Sequence, residues 1–150
     1  MTISPAGIAA IKKHEGLRLD AYRDSVGIYT IGYGNIRYIN GNRVKPGDKI
    51  TKEQAGNIFN YFVTLFAQQV DELVIHDLTQ SQFDALVSLA YNIGIGGFRT
   101  STVLRRVNAD PQDPLIGNAF MMWTKGTIDG KRVALKGLTN RRMDEVKMYF

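Results

Sequence analysis

Apolar residues recur every three or four positions through most of the chain, the spacing of helices that bury one face. Ser4-Pro5 opens the first stretch as an N-cap followed by proline in the first turn; Ile8 and Ile11 point inward, and Gly16 is a natural stop. Thr51, with Gln54 three residues on, reads as a capping box. Ala55, Ile58, Phe59, Phe62, Phe66, Val70 and Leu73 then predict a long helix over about 52–75, with its phenylalanines assigned to core packing. Thr79 and Gln82 repeat the capping box ahead of a buried stripe of Phe83, Leu86, Val87, Ala90 and Tyr91 that ends at Gly94. The segment IGIGGF reads as a tight helix–helix turn, followed by a short helix over 101–108. Asp113-Pro114 caps a further helix that buries Ile116, Phe120 and Trp123 and stops at Gly126. Asp129-Gly130 makes a small turn, and the last helix runs from about 139 to 149.

Between the first two helices the period changes. GIYTIGYG alternates apolar residues and glycines around Thr30, and such glycines permit close approach of another backbone or a ligand. Asn40-Gly41 is a hairpin signal, and Pro46-Gly47-Asp48 closes the region with a turn. The predicted fold class is α+β in a single domain of 150 residues. A small antiparallel β lobe (about 17–50) faces a larger helical lobe (about 52–150 plus the N-terminal helix). The long helix joins the lobes, and a cleft lies at their junction.

Composition narrows the chemistry. With no cysteine and only His14 and His76, a thiolate or histidine metal site is not expected, and a Ser-His-Asp triad has few ways to form. No cofactor is expected. No apolar run approaches the ~20 residues of a membrane span. The opening MTISPAGIAAIKKHEG lacks the pattern of a secretory leader, so the expectation is a protein made and kept in the cytoplasm until released. Residues 1–98 hold nine Lys/Arg and nine Asp/Glu, and residues 99–150 hold ten and five, so the whole excess of +5 lies in the last third. A basic face of this kind suits an anionic partner.

The candidate chemistry sits between Glu15 and Gly34. Glu15 falls at a helix end, Asp24 in a loop and Thr30 on a strand. Two carboxyls and a hydroxyl converging on one cleft is the equipment of glycoside hydrolysis. At a helix C-terminus the dipole disfavours a carboxylate, which suits a group that must hold its proton as a general acid.

Glu15, eight residues, Asp24, five residues, Thr30 resembles the catalytic spacing of the phage-type lysozymes, glycoside hydrolase family 24. EGLRLDAYRD, YTIGYGN, FDALVSLAYNIGIGGF, STVLRR, FMMWTKG and GLTNRRMDE resemble successive blocks of that family, in its order, from about residue 3 to the end. The resemblance implies a lysozyme-like fold and a muramidase, a phage endolysin that cuts the β-1,4 bond between N-acetylmuramic acid and N-acetylglucosamine in peptidoglycan and so lyses the host. It implies Glu15 as general acid, with Asp24 and Thr30 holding the attacking water or stabilising the oxocarbenium-like state. Carboxyl groups roughly 6.5–9.5 Å apart favour inversion and about 5 Å retention; the resemblance favours inversion. Arg141 matches an arginine that approaches the acid and opposes the dipole effect, and Asn92 matches an amide lining the cleft. Asn35 stands where many members carry a histidine, usually a structural one. His14 reads as an exposed helix position.

The resemblance further implies a monomer that acts on the periplasmic wall after a holin permeabilises the membrane. The basic segment KGLTNRRMDEVKMYF is a candidate for contact with anionic wall polymer or lipopolysaccharide. A lytic transglycosylase shares the substrate but needs no Asp24. A basic nucleic-acid-binding protein is opposed by scattered charges and the lack of a recognition motif.

Overall fold

The computed structural model describes residues Met1–Phe150. Helix α1 (Pro5–Glu15) begins where Ser4 Oγ accepts the Gly7 N–H and ends at Gly16, whose φ of 70° suits glycine. An antiparallel pair follows, β1 (Arg18–Arg23) and β2 (Tyr29–Gly32), with an irregular register between Arg18 and Tyr22. Regular pairing stops there. The hairpin expected around Asn40-Gly41 is reduced to one isolated bridge between Arg37 and Arg43. Gly32, Gly34, Gly41 and Gly47 all hold positive φ, so the chain turns too often for a ladder to grow.

Helix α2 (Lys52–Leu73) starts on the complete Thr51–Gln54 capping box and ends slightly short of the expected 75. Helix α3 (Gln80–Ile93) starts on the complete Thr79–Gln82 box. The IGIGGF segment is more than a turn. Gly94, at φ 88°, stops α3, and its carbonyl accepts the Phe98 N–H at 3.0 Å to start α4 (Ile95–Arg99) at once. Helix α5 (Thr102–Ala109) takes Ser101 as its N-cap, close to expectation.

The next helix is shorter than expected. Asp113 Oδ1 accepts the Leu115 N–H at 2.8 Å, and α6 (Ile116–Phe120) then ends well before Gly126. Trp123 lies beyond it, half-buried. Gly126 belongs to β3 (Lys125–Ile128), which pairs antiparallel with β4 (Lys131–Ala134). Asp129 and Gly130, both at positive φ, form the two-residue turn of this hairpin. A polar pattern with Lys125, Lys131 and Arg132 hid these strands from the hydrophobic reading. Helix α7 (Lys136–Tyr149) starts three residues ahead of the expected Thr139.

Helix α3 is the centre of the molecule. It packs against α1, α2, α4 and α7, so every residue from Gln82 to Tyr91 is buried, beyond the single stripe expected. A helix enclosed on all sides keeps no solvated face, so its polar members Gln82, Asp84 and Ser88 find hydrogen-bond partners inside the protein. The core continues through Phe59, Val63, Phe98, Val103, Ile116 and Phe120. The fold is the expected α+β arrangement, with strand β2 packed on α2 and a second small hairpin set among the later helices. No helix is long and apolar enough to cross a membrane.

Candidate active site

Glu15, Asp24, Thr30 and Asn92 all line one open cleft of about 630 Å³. They come from four different places: the end of α1, the β1–β2 connection, strand β2 and the last turn of α3. Tyr22, Ile36 and Arg37 line the same cleft, as do Phe62, Phe66 and Tyr91. The sequence reading assigned Phe59, Phe62 and Phe66 to the core, but of the three only Phe59 is fully buried. Phe62 and Phe66 lie at the edge of the core and present themselves to the cleft.

The Asp24 loop divides the work of one carboxylate between its oxygens. Oδ1 accepts the backbone N–H groups of Val26 at 3.0 Å and Ile28 at 2.8 Å, which shapes the turn. Oδ2 makes no hydrogen bond within the protein. Thr30 is buried at the cleft floor; its hydroxyl donates to the Ile28 carbonyl at 3.0 Å, which leaves its lone pairs as acceptors.

Glu15 is held from two sides. Arg141 Nη1 donates to Glu15 Oε2 at 2.5 Å across 126 positions of sequence. Gly34, at φ 75°, brings the backbone after β2 so close that an added β-carbon would overlap Glu15 Oε1. The glycine expected to admit a backbone or a ligand admits this carboxyl group. Arg141 is only 4% exposed; its Nη2 donates to the Ser88 carbonyl at 3.1 Å and its Nε to Glu145 Oε2 at 3.3 Å. Neither Arg141 nor Arg142 is on a solvated face. Arg142 is buried and pairs with Glu145. Burial pushes the Arg142 guanidinium below its usual range, against the opposing pull of Glu145.

Sequence reasoning missed Ser88, Arg142 and Glu145. Its available signal was the spacing of Arg141, Arg142 and Glu145, which puts them on adjoining positions of one helix. His14 also differs from expectation. It is half-buried, with Nε2 2.9 Å from Asp144 Oδ2, tying α1 to α7 beside Glu15.

Aromatic groups complete the walls. Burial, then the nearby Glu15 charge, pushes the Tyr91 phenol well above its ordinary value, and the same two causes raise Tyr22. Both stay neutral hydroxyls through the working range. Tyr91 donates to the Tyr33 carbonyl at 2.6 Å and accepts from Asn35 Nδ2 at 3.1 Å. Asn35 thus serves as a buried strut. No group of three or more His, Cys, Asp or Glu is placed to hold a metal ion.

Comparison with known proteins gives this geometry a family. A family model described as phage lysozyme matches residues 12–145. The endolysin of Acyrthosiphon pisum secondary endosymbiont phage 1 is 38% identical, over 99% of this chain and 98% of that protein. The endolysin of Bacillus phage B103 is 42% identical over 99% of this chain, which spans about half (54%) of that relative. Among solved structures, an endolysin from Escherichia coli O157:H7 phage FAHEc1 superposes with a TM-score of 0.89 at 46% identity, covering 99% of this chain and 93% of that one. With a family model matched over most of its length, the chain belongs to the phage lysozyme family.

Proposed function

We propose that the chain hydrolyses the β-1,4 bond between N-acetylmuramic acid and N-acetylglucosamine in peptidoglycan, and thereby lyses the host cell. The observation that carries this reading is that Glu15, Asp24 and Thr30, from three unlike elements, line one cleft. Protonated Glu15 gives its proton to the glycosidic oxygen as the bond to the muramic acid C1 breaks with oxocarbenium character. Water held between Asp24 Oδ2 and the Thr30 oxygen attacks C1 from the opposite face and passes its proton to Asp24. Inversion follows, and the new reducing end is released as the α anomer. Arg141 steadies the Glu15 carboxylate left behind, and Asn92 offers its amide to the sugar. All these groups come from one copy, so the site is complete in a monomer.

Lysis requires access to the wall, which we assign to a holin that opens the membrane. Envelope contact, expected from the C-terminal basic segment, is better assigned to the β3–β4 hairpin. Arg141 and Arg142 are buried, whereas Lys125, Lys131, Arg132 and Lys136 are exposed beside Ile128 and Val133. Clearing of intact envelopes should then fall steeply with added salt, more than hydrolysis of purified wall.

Turbidity loss on purified peptidoglycan tests the central assignment. Glu15→Gln should be slower by roughly 10²–10⁴-fold, because it lacks only the transferable proton. Full activity in that variant refutes Glu15 as the acid. Mass spectra with 1,6-anhydro ends in place of reducing muramic ends would make the enzyme a transglycosylase.

A further inference from the structure

We propose that Glu145 is a positioning residue: its buried carboxylate shares the Arg141 guanidinium with Glu15, and so sets how firmly Glu15 can hold its proton. The inference rests on the reading of Glu15 as general acid.

Arg141, Arg142 and Glu145 occupy adjoining positions on α7 and are 4%, 0% and 1% exposed. Three donors converge on Glu145 Oε2: Ser88 Oγ at 2.5 Å, Arg142 Nη2 at 3.2 Å and Arg141 Nε at 3.3 Å. Glu145 Oε1 lies 2.6 Å from Arg142 Nε but out of line for a hydrogen bond, so that contact is Coulombic. Two acids and two bases thus form a chain, Glu15–Arg141–Glu145–Arg142, with no net charge, buried from Arg141 onward and reaching the cleft at Glu15.

Arg141 is its shared member. A cation divided between two carboxylates stabilises the charge on each less than it would stabilise one alone, and the dry surroundings enlarge the difference. Neutralising Glu145 leaves Arg141 to Glu15 and makes the cluster net positive. Glu15 then ionises more readily and is a poorer proton donor at neutral pH. Other groups lie around the Glu15–Arg141 pair: Tyr22 from β1, itself next to Arg18 and Asp24, Tyr91 from α3, and the His14–Asp144 pair bridging α1 and α7. None of them bonds Arg141, so none substitutes for Glu145.

The test is the pH profile of kcat/KM on purified peptidoglycan for wild type, Glu145→Gln, Glu145→Asp and Ser88→Ala, with Glu15→Gln as reference and thermal melts to confirm folding. In Glu145→Gln the alkaline limb should move down by about one pH unit, so that activity above the limb falls about tenfold further. Glu145→Asp keeps the charge and should bring the limb back towards wild type. Ser88→Ala should move it slightly upward, because a Glu145 deprived of the hydroxyl draws harder on Arg141. Folded Glu145→Gln with a reduced rate but an unmoved limb overturns the proposal and leaves Glu145 a structural group. If Glu145→Gln fails to fold, Ser88→Ala decides, and an unmoved or lowered limb there is equally fatal. Full activity in Glu15→Gln would instead remove the acid assignment on which the proposal stands.

Discussion

Gly34 is where the backbone after β2 meets the Glu15 carboxyl, and replacing it with alanine does two separable things. Its φ is 75°, and an added β-carbon would overlap Glu15 Oε1 and sit 3.0 Å from the carboxyl carbon. The backbone effect of a side chain in the left-handed region is about 1–2 kcal/mol. At about 2–4 °C per kcal/mol for a domain of this size, the melting temperature should fall by about 2–8 °C. The side-chain effect pushes Glu15 aside by about 1 Å against an Arg141 contact of 2.5 Å, and a misplacement of about 1 Å in a reacting group lowers turnover by about 10²-fold. Gly41 separates the two effects. It has φ 88° and nothing within 4 Å of an added β-carbon, so Gly41→Ala should show a similar loss of stability with wild-type activity. Melting curves and clearing rates on purified peptidoglycan read both quantities. If Gly34→Ala melts like Gly41→Ala and clears at the wild-type rate, the placement of Glu15 has no bearing on the reaction and the reasoning fails.

Arg142→Ala should destabilise the fold by about 3–5 kcal/mol, seen in denaturant melts, because it strips a fully buried carboxylate of its nearest cation. Phe66→Ala should raise KM more than it lowers kcat, since the ring lines the cleft and packs on Tyr91 at 5.5 Å; Phe59→Ala, fully buried, should instead lose about 3–5 kcal/mol of stability. Tyr38 and Tyr149 are each pushed up to about 12, Tyr38 by burial and its bond to Asp48, Tyr149 by burial and then Asp110. Between pH 10 and 12 the unfolded chain therefore releases protons that the native state keeps, so melting temperature should fall as pH rises through that window, and less in Tyr38→Phe.

The parts of this protein that could be read along the chain are those made by near neighbours. Ser4, Thr51 and Thr79 cap their helices as read, because each cap is satisfied by an N–H three residues away. The Glu15, Asp24 and Thr30 spacing pointed to one cleft through its resemblance to a family, and Asp24 shows the local reason: its loop folds on its own carboxylate oxygen. What the chain could not announce is what meets across it. A helical period marks Phe62 and Phe66 as inward-facing, yet the inner face of α2 borders the core at one point and the cleft at the next. The hairpin β3–β4 carries no apolar alternation, so its pairing rests on backbone bonds that composition does not register. The partner of Glu15 lies 126 residues away; only the resemblance to a family pointed Arg141 at it, because nothing local to α7 shows that α1 and α7 both pack on α3. Burial then turns Arg141, Arg142 and Glu145 from ordinary charges into fixed ones, because ions taken out of water must find one another.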